Sequence, residues 1–420
     1  MAARQDPEVL VVGAGPVGLF AGLALAERGV PVQIIDKMSR TGVHSYALAL
    51  HGRALGLLRP YGLLDRIILA QAYPIRTIGL FDHGGQRTEV SLPELEDGVP
   101  PLVVLPQDAF ERTLDEALAA HGVRVQWNQA VSQLASHQDH VAVTIDKLVQ
   151  ESVGYAVAHT EWMVAKSTSM EVPFVIGADG HRSTVRRELD IEFAEAGEAQ
   201  NYTVFEFETD FDLDHQLRFI LGERTADVLW PLPNGACRWS FQLPDFVAPA
   251  AARRRDRLGV MIGSAQYPAM TDADLHRLIA ERAPWFRGSV SRLNWQIVVR
   301  FERRLARSFG KQRVWLAGDA GHMTGPAGSQ SMNVGLREAA DLTGLVAGII
   351  RQGQPASQLE TYNEQRLAEW RQLLGLDGGL TSDSQTDPWL RQHSARLLPC
   401  LPATGPGLAR LAQQLGLRLT

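Results

Sequence analysis

Val9–Val12 is an uninterrupted apolar run of strand length, the pattern of a parallel strand covered on both faces. The turn Gly13-Ala14-Gly15-Pro16-Val17-Gly18 follows at once, and the Ala- and Leu-rich stretch Val17–Arg28, closed by Gly29, predicts a helix. Val32–Ile35 is a second apolar strand ending in Asp36, which completes a βαβ unit. Phe110, Leu114, Ala117, Leu118 and His121 recur at helical spacing, and Val123, Val125 and Trp127 alternate after them, so the α/β theme repeats. Alternating runs fill 141–176, and Phe174-Val175-Ile176 leads into a second glycine turn, Gly177-Ala178-Asp179-Gly180. Aromatic and β-branched residues dominate 201–243 and 293–301, which predicts a separate, more antiparallel sheet. The strand Arg313–Ala317 then opens a third glycine turn at Gly318-Asp319 and a helix with Leu342, Leu345, Val346, Ile349 and Ile350 on one face. The span 377–388 reads as a loop, and Leu408, Leu411, Ala412, Leu415 and Leu419 predict one amphipathic C-terminal helix that packs on the body rather than touching a membrane.

The uncharged run from Val9 to Ala26 approaches the length of a membrane span, but Gly13, Gly15, Pro16, Gly18 and Gly22 interrupt it and Asp6 and Glu8 precede it. A buried strand, turn and helix is the better reading. With 420 residues, 45% hydrophobic and 21% charged, the chain is an ordinary globular protein of two or three domains. A net charge of -6 leaves no basic excess for nucleic acid, and Arg253-Arg254-Arg255 reads as a solvated face. The two cysteines, Cys237 and Cys400, are far apart, which disfavours a disulfide scaffold, a zinc site and a dithiol centre and predicts a reducing, cytoplasmic setting.

The three turns carry the candidate chemistry. Gly13-x-Gly15-x-x-Gly18 between strand and helix brings backbone N–H groups to a pyrophosphate at the positive helix end, and Pro16 and Val17 lie within that turn. Asp36, with Lys37 beside it, falls where a carboxylate bonds the ribose hydroxyls of an adenosine. This motif predicts a dinucleotide but does not separate FAD from NAD.

Gly177-Ala178-Asp179-Gly180 with Ser183 and Arg186, and Gly318-Asp319 with His322, Pro326, Gly328, Met332 and Asn333, decide between them. With the first turn they resemble, in order, the three motifs of the p-hydroxybenzoate hydroxylase family of single-component FAD monooxygenases, over about Val9 to Arg366. The resemblance implies an α/β fold: a Rossmann-like FAD-binding domain with an inserted, mostly antiparallel substrate sheet and a C-terminal helical segment. The boundaries expected are 1–75, 100–185 and 300–375 for the FAD domain, 76–99 and 186–299 for the substrate domain, and 376–420 for the tail.

It further implies noncovalent FAD, transient NAD(P)H, and oxygen transfer from a flavin C4a-hydroperoxide to a small aromatic or polyketide-like molecule. Gln107 matches a glutamine on the flavin chain, Asp179 a residue near the pyrophosphate, and Asp319 an acceptor for a ribityl hydroxyl. A helix starting near Ser331 points its N–H groups at the flavin pyrimidine edge. Trp230, Trp239, Phe241 and Trp295 are candidates for an aromatic substrate pocket, with sheet core as the competing reading; no catalytic residue and no metal ligand is assigned. Three departures stand out: Gly328-Ser329-Gln330-Ser331 in place of GGQG, Tyr46 in place of an arginine for which Arg53 could substitute, and Glu338 opening the segment that reads DAxNL in the family. A flavin halogenase and a flavin-binding sensor without turnover are the rival functions.

Overall fold

The computed structural model describes residues 6–40, 48–69, 72–92, 98–153, 159–245 and 270–420. Tyr46 and the cluster Arg253-Arg254-Arg255 lie outside the described residues. The central sheet has six strands in the spatial order Gly310–Lys311, Val314–Leu316, Phe174–Gly177, Val9–Val12, Val32–Asp36 and Gln126–Trp127. All pairings are parallel except that of the first two. The continuous apolar character of Val9–Val12 now has its cause. Val9 and Val11 belong to the core beneath the helices, whereas Leu10 and Val12 face a second core roofed by the three-stranded sheet of Gln129–Ser136, Val141–Val153 and His159–Val172. A strand buried on both faces has no position for a polar side chain.

The helix Pro16–Glu27 covers one face of this sheet, between the helices Gln107–Ala120 and Gln330–Gln352. Gly22 lets it settle there, since a Cβ at that position would lie 2.3 Å from Ile34 Cδ1. The chain leaves Val9–Val12 toward Val32–Asp36 on one side, while Phe174–Gly177 lies on the other. Strand order therefore reverses beside Val9–Val12, the place where open α/β sheets bind ligands at the carboxyl ends of their strands.

The second large sheet has seven strands, mostly antiparallel: Arg292–Phe301, Gln200–Glu208, Ala236–Gln242, Ala226–Pro231, Gln216–Leu221, Thr77–Asp82 and Gly85–Ser91. Gln216–Leu221 runs parallel to Thr77–Asp82, because the two come from segments far apart in the chain rather than from a hairpin. Side-chain alternation splits the sheet. Leu217, Phe219, Val228 and Trp230 join the core shared with the six-stranded sheet. Phe205, Phe207, Leu229, Trp239 and Phe241 face the helix Asp272–Arg282. This α/β architecture, with a mostly antiparallel sheet inserted and helices at the C-terminus, agrees with the fold expected from sequence.

The tail differs from expectation in two places. Leu380–Ser382, inside the predicted loop, pairs antiparallel with Leu417–Leu419, and the predicted C-terminal helix stops at Gln414. Gly416 adopts φ +66 and turns the chain back, so Leu419 sits in a strand opposite Leu380. Leu408, Leu411 and Ala412 are buried in the main core, as packing on the body requires. Among the described residues, no helix is long and apolar enough to cross a membrane.

One polar cluster fastens Asp272–Arg282 to the sheet. Arg282 Nη1 donates to Asp227 Oδ1 at 2.7 Å, and the Gln242 N–H donates to the same oxygen at 2.7 Å. Burial nevertheless pushes the Asp227 carboxyl up to about 6. Removing the cation leaves a buried acid without its counter-charge, so Arg282→Met is expected to cost about 3 kcal/mol in a urea titration at neutral pH. A loss below about 1 kcal/mol would mean that water already reaches Asp227.

Candidate cofactor site

Three glycine turns meet at the carboxyl ends of Val9–Val12, Phe174–Gly177 and Val314–Leu316. Gly13 has φ +107, and a Cβ there would lie 2.2 Å from the Ala178 carbonyl oxygen. A Cβ on Gly18 would lie 2.0 Å from the Gly13 oxygen, and one on Gly335 would lie 3.0 Å from Gly318 Cα. Gly318 itself takes φ +65 against Val17. These glycines are demanded by the fold. Gly15 is not: its φ is an ordinary -73, and a Cβ there would meet nothing within 4 Å.

Pro16 opens the first helix, and Gly15 caps it without a side chain. With no acidic residue in the first turn, the N-terminal N–H groups face outward with the positive end of the helix dipole behind them. Asp36 closes the other side. Its Oδ2 accepts from the Ala14 N–H and its Oδ1 from the Met38 N–H, both at 2.7 Å, so the carboxylate is held with further lone pairs left to accept from hydroxyls. Lys37 follows, exposed. An open glycine, an uncapped helix end and a fixed carboxylate match the pyrophosphate and ribose of a dinucleotide.

The second turn is mainly a brace. Asp179 Oδ2 accepts from the Thr184 N–H at 2.7 Å and the Val185 N–H at 3.2 Å, capping the short helix Thr184–Glu188, while its Oδ1 is a buried acceptor with no partner. Burial pushes that carboxyl's pKa above its usual range, against the hydrogen bonds that favour its charged form. Ser183 Oγ accepts from the Arg186 N–H, and Arg186 donates to the Ala320 carbonyl at 2.7 Å and the His181 carbonyl at 3.0 Å. With its guanidinium 3.8 Å from the Phe193 ring centroid, Arg186 bolts the second turn to the third.

In the third turn Asp319 is exposed, and the Ser331 hydroxyl donates to its Oδ1. Pro326, half-buried, leads to Gly328, where a Cβ would lie 2.6 Å from the Pro399 carbonyl of the C-terminal segment. Ser329 caps the long helix in the left-handed region, φ 49, where the family motif has glycine. Met332 is buried in the first turn of that helix. Asn333 is a clamp: its Nδ2 donates to the Ala49 and Ser329 carbonyls at 2.8 and 2.7 Å, and its Oδ1 accepts from the His51 N–H at 2.7 Å. Gln107, at the start of its helix, donates to Glu111 Oε1 at 2.8 Å.

The four aromatic candidates do not come together. Trp239 and Phe241 stack with centroids 4.8 Å apart and have no exposed surface, so they fill the core under Asp272–Arg282. Trp230 is buried on the opposite face of the sheet. Trp295 is half-buried, with the Arg238 guanidinium 5.4 Å from its centroid and an Arg238–Glu206 ion pair of 2.8 Å beside it. Arg53 lies beside Gly405 and senses the charges of Arg337 and Glu369, on the side of the C-terminal segment. His51 and Trp370 carried no motif signal; their importance arises from partners hundreds or tens of residues away.

The FAD binding domain family matches residues 6–376. The chain belongs to that family. FAD is therefore the cofactor of this chain, and the resemblance read from the motifs is borne out. Among curated relatives, 6-methylpretetramide 4-monooxygenase of Streptomyces rimosus is 29% identical over 88% of this chain and 61% of its own length. Rifampicin monooxygenase of Rhodococcus hoagii is 27% identical over 86% of this chain and 67% of its own. The chain thus spans about two thirds or less of the length of these relatives. The solved p-nitrophenol 4-monooxygenase PnpA of Pseudomonas putida DLL-E4 has the same fold, with TM-score 0.70, 21% identity and 98% and 93% of the two chains covered.

Two outcomes test the site. Gly15→Ala, sterically free in the protein alone, is expected to leave thermal unfolding of the FAD-free protein unchanged while weakening FAD binding about tenfold or more, measured by flavin fluorescence. Equal affinity would remove the first turn from the pyrophosphate site. Burial pushes the His51 imidazole down to about 4, so below the ordinary value of 6.5 the unfolded chain takes up a proton that the folded chain refuses. Stability is expected to fall by roughly 3 kcal/mol between pH 6.5 and 4 from this group, and His51→Gln to flatten that part of the urea-derived profile. An identical slope in the variant would assign the acid loss to other groups.

Proposed function

We propose that the protein is an FAD-dependent monooxygenase that consumes NAD(P)H and dioxygen and hydroxylates or epoxidises a small aromatic or polyketide-like molecule. The observation that carries this reading is that relatives matched over 86–90% of this chain bear the names of monooxygenases or hydroxylases. Bound FAD supplies the redox chemistry, taking a hydride equivalent and activating oxygen. The chain's own part is to hold, orient and exclude water. Gly13, Gly15, Gly18 and the first helix end take the pyrophosphate, Asp36 the ribose, and Asp319 a ribityl hydroxyl. The start of Gln330–Gln352, where Ser329 offers no side-chain cap, would stabilise negative charge on the flavin ring.

The segments 76–99 and 186–299 supply the substrate side, and substrate enters between the seven-stranded sheet and the loop carrying Pro326. A Cβ on Gly325 would stand 3.0 Å from Gln200 Oε1, so the residue that opens the Gln200–Glu208 strand lies beside the loop. On the same sheet, Glu206, Arg238 and Trp295 place a charged pair beside an aromatic face, a combination suited to a phenolic or acidic ring. Buried, unpaired Cys237 and Cys400 fit a reducing cytoplasmic setting.

The decisive experiment is anaerobic addition of NAD(P)H to the yellow holoprotein, followed by oxygen. Bleaching of the flavin, accelerated by an aromatic ligand, and a product heavier by one oxygen atom are expected. Flavin that stays oxidised under NADH and NADPH with every ligand tried would leave a flavin-binding protein without turnover.

A further inference from the structure

The three-stranded sheet that roofs the second core carries more strand than that core uses. Val141, Val143, Ile145 and Val172 pack there, but the hairpin of Val141–Val153 and His159–Val172 runs on past them. Every residue from Trp162 to Ser169 is exposed. Because successive residues of a strand point to opposite faces, this half of the hairpin stands clear of the body on both sides. Trp162, Met163 and Val164 are 42%, 45% and 54% exposed, three of the five large apolar side chains that the described residues leave open to solvent. His159–Val172 is also the outer strand of its sheet, so one row of its backbone N–H and C=O groups has no strand partner among the described residues. Sheet edges are commonly blunted by proline or a cover, and this one, fourteen residues long, contains no proline.

The register of the hairpin sets like charges opposite each other twice. Lys147 pairs with Lys166 and Glu151 with Glu161, and Val149 pairs with Met163 between them. Lys147, Val149 and Glu151 alternate along one strand and share a face, so that face reads positive, apolar, negative. Like charges directly opposite each other weaken a strand pair. On the reverse face Leu148 pairs with Val164 and Gln150 with Trp162. The register passes over Ala165, which is a bulge between Val164 and Lys166.

This edge is complementary to itself. A second copy of His159–Val172 laid antiparallel along it, about a two-fold axis at Met163, brings Met163 to its own symmetry mate and Trp162 to Val164. With Ala165 bulged on the new side as it is on the old, Glu161 falls opposite Lys166. Each row of two lysines is then continued across the joint by two glutamates, and both faces are apolar at the centre. A one-residue slip would bring residues of opposite faces together, so the register is specific. We propose that this edge joins two copies of the chain into a symmetric dimer through one continuous sheet, with the charges of Lys166 and Glu161 alternating across the joint to set its register. A strand edge with a few side chains is smaller than the roughly 800 Å² per partner of a typical stable interface, so association in the micromolar range is expected. Neither flavin reduction nor a substrate enters this inference, which therefore stands or falls apart from the monooxygenase reading.

The test is the molar mass of the FAD-loaded protein by sedimentation equilibrium over a micromolar concentration series, and the wild type is expected to pass from one chain to two. Lys166→Glu sets glutamate against glutamate across the axis, and Glu161→Lys sets lysine against lysine. Each alone is expected to raise the dimer dissociation constant about tenfold or more. Within the chain each change turns a like-charge register pair into an opposite one, so neither weakens the hairpin itself. An equimolar mixture of the two variants, in which the pairs across the axis are again opposite in charge, is expected to recover the mass of two chains. A wild type that stays a single chain throughout the series, a dimer equally tight in both variants, or a mixture that fails to associate would each overturn the proposal.

Discussion

Backbone-to-backbone contact at the ends of three parallel strands is the constraint on which the rest of the structure depends. Gly13 lies against the Ala178 carbonyl and Gly18 against Gly13 at distances that admit no Cβ, and Gly335 packs tightly on Val17 and Gly318. Each turn comes from a different third of the chain, so the site does not exist until the parallel pairing of Phe174–Gly177 with both Val9–Val12 and Val314–Leu316 is complete. Parallel pairs require long crossovers, and here the crossovers hold the whole seven-stranded sheet. The insertion is a consequence of that topology.

Polar side chains lock the turns once they meet. Arg186 spans from the second to the third, Asn333 ties the Ala49–His51 strand to the start of the long helix, and Glu338 gathers Gly318, His322 and Trp370 around one carboxylate. Buried polar groups of this kind gain little net stability when paired but cost heavily when a partner is lost. They specify one arrangement of the loops, which matters where a cofactor must be met by fixed donors and acceptors. The C-terminal segment adds a further restraint, pressing Pro399 onto Gly328 while Gln330 Nε2 donates to the Leu401 carbonyl at 3.2 Å.

What the sequence determined by itself is local. Apolar runs with no polar position mark the doubly buried strands, and the glycine spacing marks the first turn, because both are imposed by neighbours within a few residues. The third turn was legible through its resemblance to the family motif, with its helix expected near Ser331 and beginning at Gln330. Tertiary structure alone decided the partners. Nothing in the alternation of the 236–242 strand tells which face meets the Asp272–Arg282 helix, so Trp239 and Phe241 could not be told from pocket residues until the sheet was in place. The pairing of Leu380–Ser382 with Leu417–Leu419 and the gathering of Gly318, His322 and Trp370 around Glu338 are likewise products of long-range closure. Periodicity records which side chains share a face, whereas the identity of what that face touches is set by chain segments far away, whose contacts leave no mark on the local pattern.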